Sequence, residues 1–244
     1  MIYGATTDIG RVRKVNEDSF YISEQEPFPY VVVADGMGGH QAGEVASLMA
    51  IDITENYLHN NLKSDFDCIE AGEQIRQAFI SANNIIYTYA KNYYKIMGMG
   101  TTLTLAMVYN DKIITANVGD SRAYLIGDGI EQITTDHSYV QELVRNGDIT
   151  PEQAKHHPKK NYITRAIGAE IAVKVDIGIR DYNNEKILLC SDGLTNMIDD
   201  DEIFRVMKNA DSLQHGVQEL VDMANAAGGY DNITIAVLER ERMV

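Results

Sequence analysis

The chain has 244 residues and a formal net charge of −15, a length that suits one large domain or two small ones and a core that needs no staples. The negative balance excludes sequence-independent binding to DNA or RNA, which depends on Lys and Arg neutralising phosphates. The longest apolar runs, such as 30–34, are far too short to span a bilayer, and Met1-Ile2-Tyr3-Gly4 has no secretory pattern, so a soluble cytoplasmic protein is expected.

In chain order, residues 2–7, 19–23 and 30–34 read as strands, the last as a nearly continuous apolar run. Residues 41–60 and 68–95 carry apolar side chains three and four apart and read as helices. Strands return at 102–109, 112–118 and 122–126, joined by Asn110-Asp111 and Gly119-Asp120, with a further turn at Asp128-Gly129. Residues 138–168 are polar, contain Pro151, Pro158, His156 and His157, and read as short helices and loop. Strands at 173–179 and 186–190, helices at 200–208 and 213–226, and a strand at 233–238 complete the chain. Cys68 and Cys190 lack any ligand spacing and read as small buried side chains in a reducing compartment. With no repeat or linker, residues 1–244 read as one domain. Hairpins outnumber β-α-β crossovers and helices come in pairs, which predicts an α+β fold: two antiparallel sheets with a helical layer on each outer face.

Acidic residues stand at the ends of these strands. Asp35 follows Val31-Val32-Val33-Ala34, Asp192 follows Leu188-Leu189-Cys190-Ser191, and Asp120 follows Ala116-Asn117-Val118-Gly119. Asp231 precedes the last strand, and Asp18 closes Asn16-Glu17-Asp18. A single Asp-Gly is by default a turn. Several acids on buried-looking strands cost several kcal/mol each unless a cation joins them, and few Lys or Arg lie nearby in the sequence. Oxygen-only donors select Mg²⁺ or Mn²⁺, and neither a zinc spacing, a calcium loop nor a P-loop is present. Asp199-Asp200-Asp201-Glu202 reads as a helix cap and first turn.

Taken together, Thr7-Asp8-Ile9-Gly10-Arg11-Val12-Arg13, Asn16-Glu17-Asp18, Ala34-Asp35-Gly36-Met37-Gly38-Gly39-His40, Met99-Gly100-Thr101-Thr102, Asn117-Val118-Gly119-Asp120-Ser121-Arg122, Ser191-Asp192-Gly193-Leu194 and Asp231-Asn232-Ile233-Thr234 resemble the metal-dependent protein phosphatases. These are the type 2C serine/threonine phosphatases, here in their compact bacterial form. The resemblance runs from about Gly4 to Leu238, and it implies a four-layer α-β-β-α sandwich that hydrolyses phosphoserine and phosphothreonine on proteins. It further implies that Asp35 bridges two Mn²⁺ or Mg²⁺ ions with the Gly36 carbonyl as a further ligand. Asp192 and Asp231 complete one ion, and Glu17 and Asp18 act on the other, partly through water. Asp120 pairs with Asp192 at a weaker third ion, and Arg13 takes the substrate phosphate. A water held between two cations then attacks phosphorus in line. Where better-known relatives carry a histidine as general acid this chain has Met37, which leaves His40 or a metal-bound water as the candidates.

Residues 138–168 resemble the flap that borders the substrate cleft in bacterial members, with His137, His156, His157 and Arg165 as further candidates. The partners implied are phosphorylated proteins, a serine/threonine kinase and that kinase's substrates, with the enzyme a monomer that contacts neither nucleic acid nor membrane. Two other readings share these motifs: a module that binds phosphoproteins without hydrolysing them, and a phosphatase acting on a phosphorylated anti-sigma-factor antagonist.

Overall fold

The computed structural model describes residues 1–23, 28–38, 42–92 and 98–241. Its architecture follows from the apolar run in β3 (Tyr30–Met37). Val31 and Val33 turn one way and pack with Ala106, Val108, Leu189 and Leu238, whereas Tyr30, Val32 and Ala34 turn the other way beneath helices. Successive strand residues face opposite sides, so an uninterrupted apolar run means that both faces are covered.

One sheet orders β1 (Ile2–Asp8), β11 (Ile233–Glu239), β10 (Lys186–Cys190), β7 (Arg122–Ile126) and β8 (Ile130–Gln132). The other orders β2 (Asp18–Ser23), β3, β5 (Leu103–Tyr109), β6 (Lys112–Val118) and β9 (Asp176–Asp181), with β4 (Gly100–Thr101) paired to the end of β3. Every ladder among the described residues is antiparallel. The helices α1 (Ala42–Asn61) and α2 (Cys68–Asn92) cover the second sheet through Ala46, Ala50, Ile75, Phe79 and Ile86. The first sheet is covered by α6 (Asp200–Asn209) and α7 (Leu213–Ala226) through Ile203, Met207, Leu220 and Val221. The result is the four-layer α-β-β-α sandwich that the hairpins and paired helices predicted. No described helix is long and apolar enough to cross a membrane.

Local differences have physical causes. β3 continues through Asp35 and Gly36 to Met37 because Gly36 and Met37 pair with Thr101 and Gly100. Thr102, expected as the first residue of a strand, instead separates β4 from β5. The strand predicted at 173–179 is found at Asp176–Asp181; Val173 and Val175 give an apolar pattern, but they pack against the helical core from outside the sheet. β8 and α5 (Asp192–Thr195) are too short to have a periodicity of their own. Cys190 is buried as expected, whereas Cys68, at the start of α2, is only half-buried. Residues 138–168 contain α3 (Tyr139–Asn146), capped by Ser138, and α4 (Pro151–Lys155), capped by Thr150 and Gln153. His40 and the predicted helix ends at 41 and 93–95 lie outside the described residues.

Candidate functional site

Antiparallel pairing brings the acidic ends of the strands to one edge of the sandwich. In the β2–β3 ladder Asp18 is directly opposite Asp35. Asp192 is the first residue of α5, two residues beyond β10, and Asp231 lies two residues before β11, which pairs with β10. Asp120 occupies the turn between β6 and β7.

Asp18, Asp35 and Asp192 are held by neighbours that the motifs alone did not single out. Ser191 donates to Asp18 Oδ2 at 2.7 Å and in turn accepts the Thr234 backbone N–H at 3.0 Å. Asp35 is fixed through its backbone: its N–H donates to Thr102 Oγ1 at 2.8 Å, and its carbonyl accepts from Thr101 Oγ1 and the Thr102 N–H. Asn196 donates to Asp192 Oδ2 at 2.9 Å. Asn232 ties its own loop to the one between β1 and β2, accepting the Glu17 N–H and donating to the carbonyls of Ile9 and Val15. The Thr101-Thr102 pair is thus a hydrogen-bonded clamp on Asp35.

Glu17 and Gly36 sit where α1 meets the strands. A Cβ on Gly36 would lie 2.1 Å from the Gly43 carbonyl oxygen, and one on Gly43 would lie 2.5 Å from Glu17 Oε1. Only glycine allows backbone contact this close.

Arg13, the residue expected to take the substrate phosphate, is paired with a carboxylate in the structure. Its Nη2 donates to Asp231 Oδ2 at 2.7 Å, while Asp231 Oδ1 accepts the Asn232 N–H at 2.9 Å. The sequence separation of 218 residues hides this pairing. Met37 is half-buried on β3, and its thioether cannot donate a proton. Of the flap-region candidates, His156 is exposed, whereas His137 is buried and bonded to Asp176.

Burial, and then the repulsion of neighbouring carboxylates, pushes the acids up: Asp192 to about 6, Asp18 to about 7 and Asp120 to about 8. Asp35 rises well above the usual carboxylate range for the same two reasons. Burial also raises Glu17, although the Gly43 N–H and Arg13 oppose it. Two buried oxygens, Glu17 Oε1 and Asp18 Oδ1, have no hydrogen-bond partner among the described residues. Among those residues no group of three or more Asp, Glu, His or Cys side chains stands close enough together, as placed, to hold a metal ion. The donor set nevertheless fits hard divalent cations: it is all oxygen, strongly negative, and includes orphaned oxygens whose burial a cation offsets. A cavity of about 850 Å³ begins at Asp120 and Asp192 and runs between the flap, at Val140 and Pro151, and the first turn of α6.

The family model described as Protein phosphatase 2C matches residues 10–228. The serine/threonine phosphatase stp of Listeria welshimeri is 41% identical over 97% of this chain and 95% of its own. The crystal structure of the serine/threonine phosphatase Stp1 from Staphylococcus aureus superposes with a TM-score of 0.91 at 37% identity, covering 98% of this chain and 95% of that one. The catalytic domain of the serine/threonine protein phosphatase PstP, solved in complex with two manganese ions, superposes with a TM-score of 0.84 at 33% identity, covering 97% and 96%. The two-sheet sandwich, the acidic edge and these likenesses agree, and the chain belongs to the protein phosphatase 2C family of serine/threonine phosphatases.

Proposed function

We propose that this protein hydrolyses phosphoserine and phosphothreonine on proteins with two divalent cations, Mn²⁺ or Mg²⁺, and a weaker third. The observation that carries the reading is the gathering of Asp18, Asp35, Asp120, Asp192 and Asp231 at one edge of the sandwich, with Glu17 Oε1 and Asp18 Oδ1 buried and without a hydrogen-bond partner among the described residues. Asp35, Asp192, Asp231 and the Gly36 carbonyl hold the principal ions, with Glu17 and Asp18 serving the second and Asp120 with Asp192 the third. Bound there, such ions supply Lewis-acid charge and an activated water. Thr101 and Thr102 hold Asp35 by its backbone, and Ser191 orients Asp18.

Arg13 keeps four further N–H donors beyond the one given to Asp231, and its planar fork suits two phosphoryl oxygens. The catalytic unit spans residues 1–244, and the flap at 138–168 borders the cavity that receives the peptide on either side of the phosphorylated residue. In the cell the enzyme is a cytoplasmic monomer that opposes a serine/threonine kinase on that kinase's substrates.

The test is hydrolysis of an aryl phosphate and of a phosphothreonine peptide with Mn²⁺. Both activities are expected to vanish on chelation and in Asp192→Asn, with Asp192→Asn still folded. Bound metal without turnover in the wild-type chain would replace this reading with a phosphoprotein-binding module.

A further inference from the structure

Asp120 is placed by its backbone alone: apart from its own N–H, no hydrogen-bond partner is described for its carboxylate. What holds the turn therefore determines where this carboxylate points. Gly119, the residue before it, has φ +114°, and a Cβ there would lie 2.5 Å from Thr102 Cγ2. The turn is thus wedged against the same threonine that clamps Asp35.

On its other side the turn is gripped by His137. The Gly119 N–H donates to His137 Nδ1 at 3.1 Å, and the His137 N–H donates to the Gly119 carbonyl at 2.9 Å. Because Nδ1 accepts, the ring proton of neutral His137 sits on Nε2, which donates to Asp176 Oδ2 at 3.0 Å. Arg165 Nη1 lies 2.9 Å from Nε2 and donates to the other Asp176 oxygen at 3.0 Å. The ring is therefore fixed at both nitrogens, and with 5% exposure it cannot meet substrate.

The same residue forms the neck of the flap. The His137 carbonyl accepts the Thr164 N–H at 2.7 Å, Ser138 bridges Ile163, and the Tyr139 N–H donates to the Tyr162 carbonyl at 2.7 Å. Residues 138–163 thus leave and return through a stem whose base is bonded to the Asp120 turn. We propose that His137 is a positioning residue that sets the Asp120 carboxylate and ties its placement to the flap, with Asp176 locking the imidazole and Arg165 holding Asp176. This proposal rests on the role given to Asp120 above.

A double-mutant cycle tests it. His137→Ala is expected to lower kcat with Mn²⁺ about 10- to 100-fold, and His137→Asn, which keeps an acceptor near Nδ1, to recover part of the loss. In an Asp120→Ala background the same change should cost less than about twofold, because the effect passes through Asp120. Equal losses in both backgrounds would show a merely structural histidine and overturn the proposal, as would wild-type kcat in Asp120→Ala. The second readout needs no turnover: amide hydrogen exchange in the chelated protein. Loss of protection at 119–121 together with 138–140 and 162–164 supports the coupling, and loss in the flap alone refutes it. Asp176→Ala, at a half-exposed position, gives the same readout if His137→Ala does not fold. Because exchange requires no catalysis, failure of the phosphatase reading and failure of the coupling are seen separately.

Discussion

Ser191 illustrates how the site is held by residues with no claim on a metal. Its hydroxyl donates to Asp18 Oδ2 and accepts the Thr234 N–H, while its own N–H donates to the Thr234 carbonyl. It is fully buried, so a lost bond is not replaced by water. Leaving buried polar groups short of a partner costs about 1–3 kcal/mol. Ser191→Ala is therefore expected to lower the stability of the chelated protein by about 2 kcal/mol in denaturant unfolding, with the slope unchanged. A loss below about 0.5 kcal/mol, the range of ordinary surface changes, would mean that Asp18 does not depend on this hydroxyl. Such partners were not legible in the sequence: a serine before Asp-Gly or an asparagine after Asp231 is unremarkable until the strands are paired. The aspartates themselves were legible, because acids terminating apolar runs need an explanation. The Arg13–Asp231 pair was not, since proximity across 218 residues is a property of the fold, and nothing in the sequence set His137, one of four candidates in the flap region, apart as the buried one.

At the scale of elements, the contact between α1 and β3 places Glu17 and Gly36. Gly43→Ala gains helix propensity of up to about 1 kcal/mol, yet the new methyl group would press on Glu17 Oε1 and on the Gly36 carbonyl carbon. The expected outcome is a folded protein with weaker Mn²⁺ binding by calorimetry and activity reduced by about tenfold or more, since small displacements of catalytic groups are costly. Wild-type Mn²⁺ affinity would show that the helix can retreat without disturbing the carboxylates. The layers were readable because strands covered on both faces appear as unbroken apolar runs and covering helices as stripes. The boundaries were not, because they are set by pairing: Gly100-Thr101 forms a strand only as the partner of Gly36-Met37.

For the whole molecule, the acidic edge makes stability depend on pH in a direction opposite to that of paired carboxylates. Asp192, Asp18 and Asp120 titrate near 6, 7 and 8 in the folded chain, against an ordinary aspartate value of 3.8. Between those limits the folded state binds more protons than the unfolded one, so stability falls as pH rises and levels off above the highest folded value. Burial holds His137 low, which acts in the other direction, but that contribution is complete by about pH 7. The chelated protein is therefore expected to lose on the order of 5 kcal/mol between pH 5.5 and 8.5, or roughly 10–20 °C in Tm for a chain of this size. Mn²⁺ should restore the loss mostly at the alkaline end, because there a cation replaces no proton. Asp18→Asn should flatten the profile by removing one buried charge whose second oxygen has no partner among the described residues. A chelated Tm that is flat or rises with pH would mean that the carboxylates are solvated or paired, and the physical case for a cation at this edge would go with it.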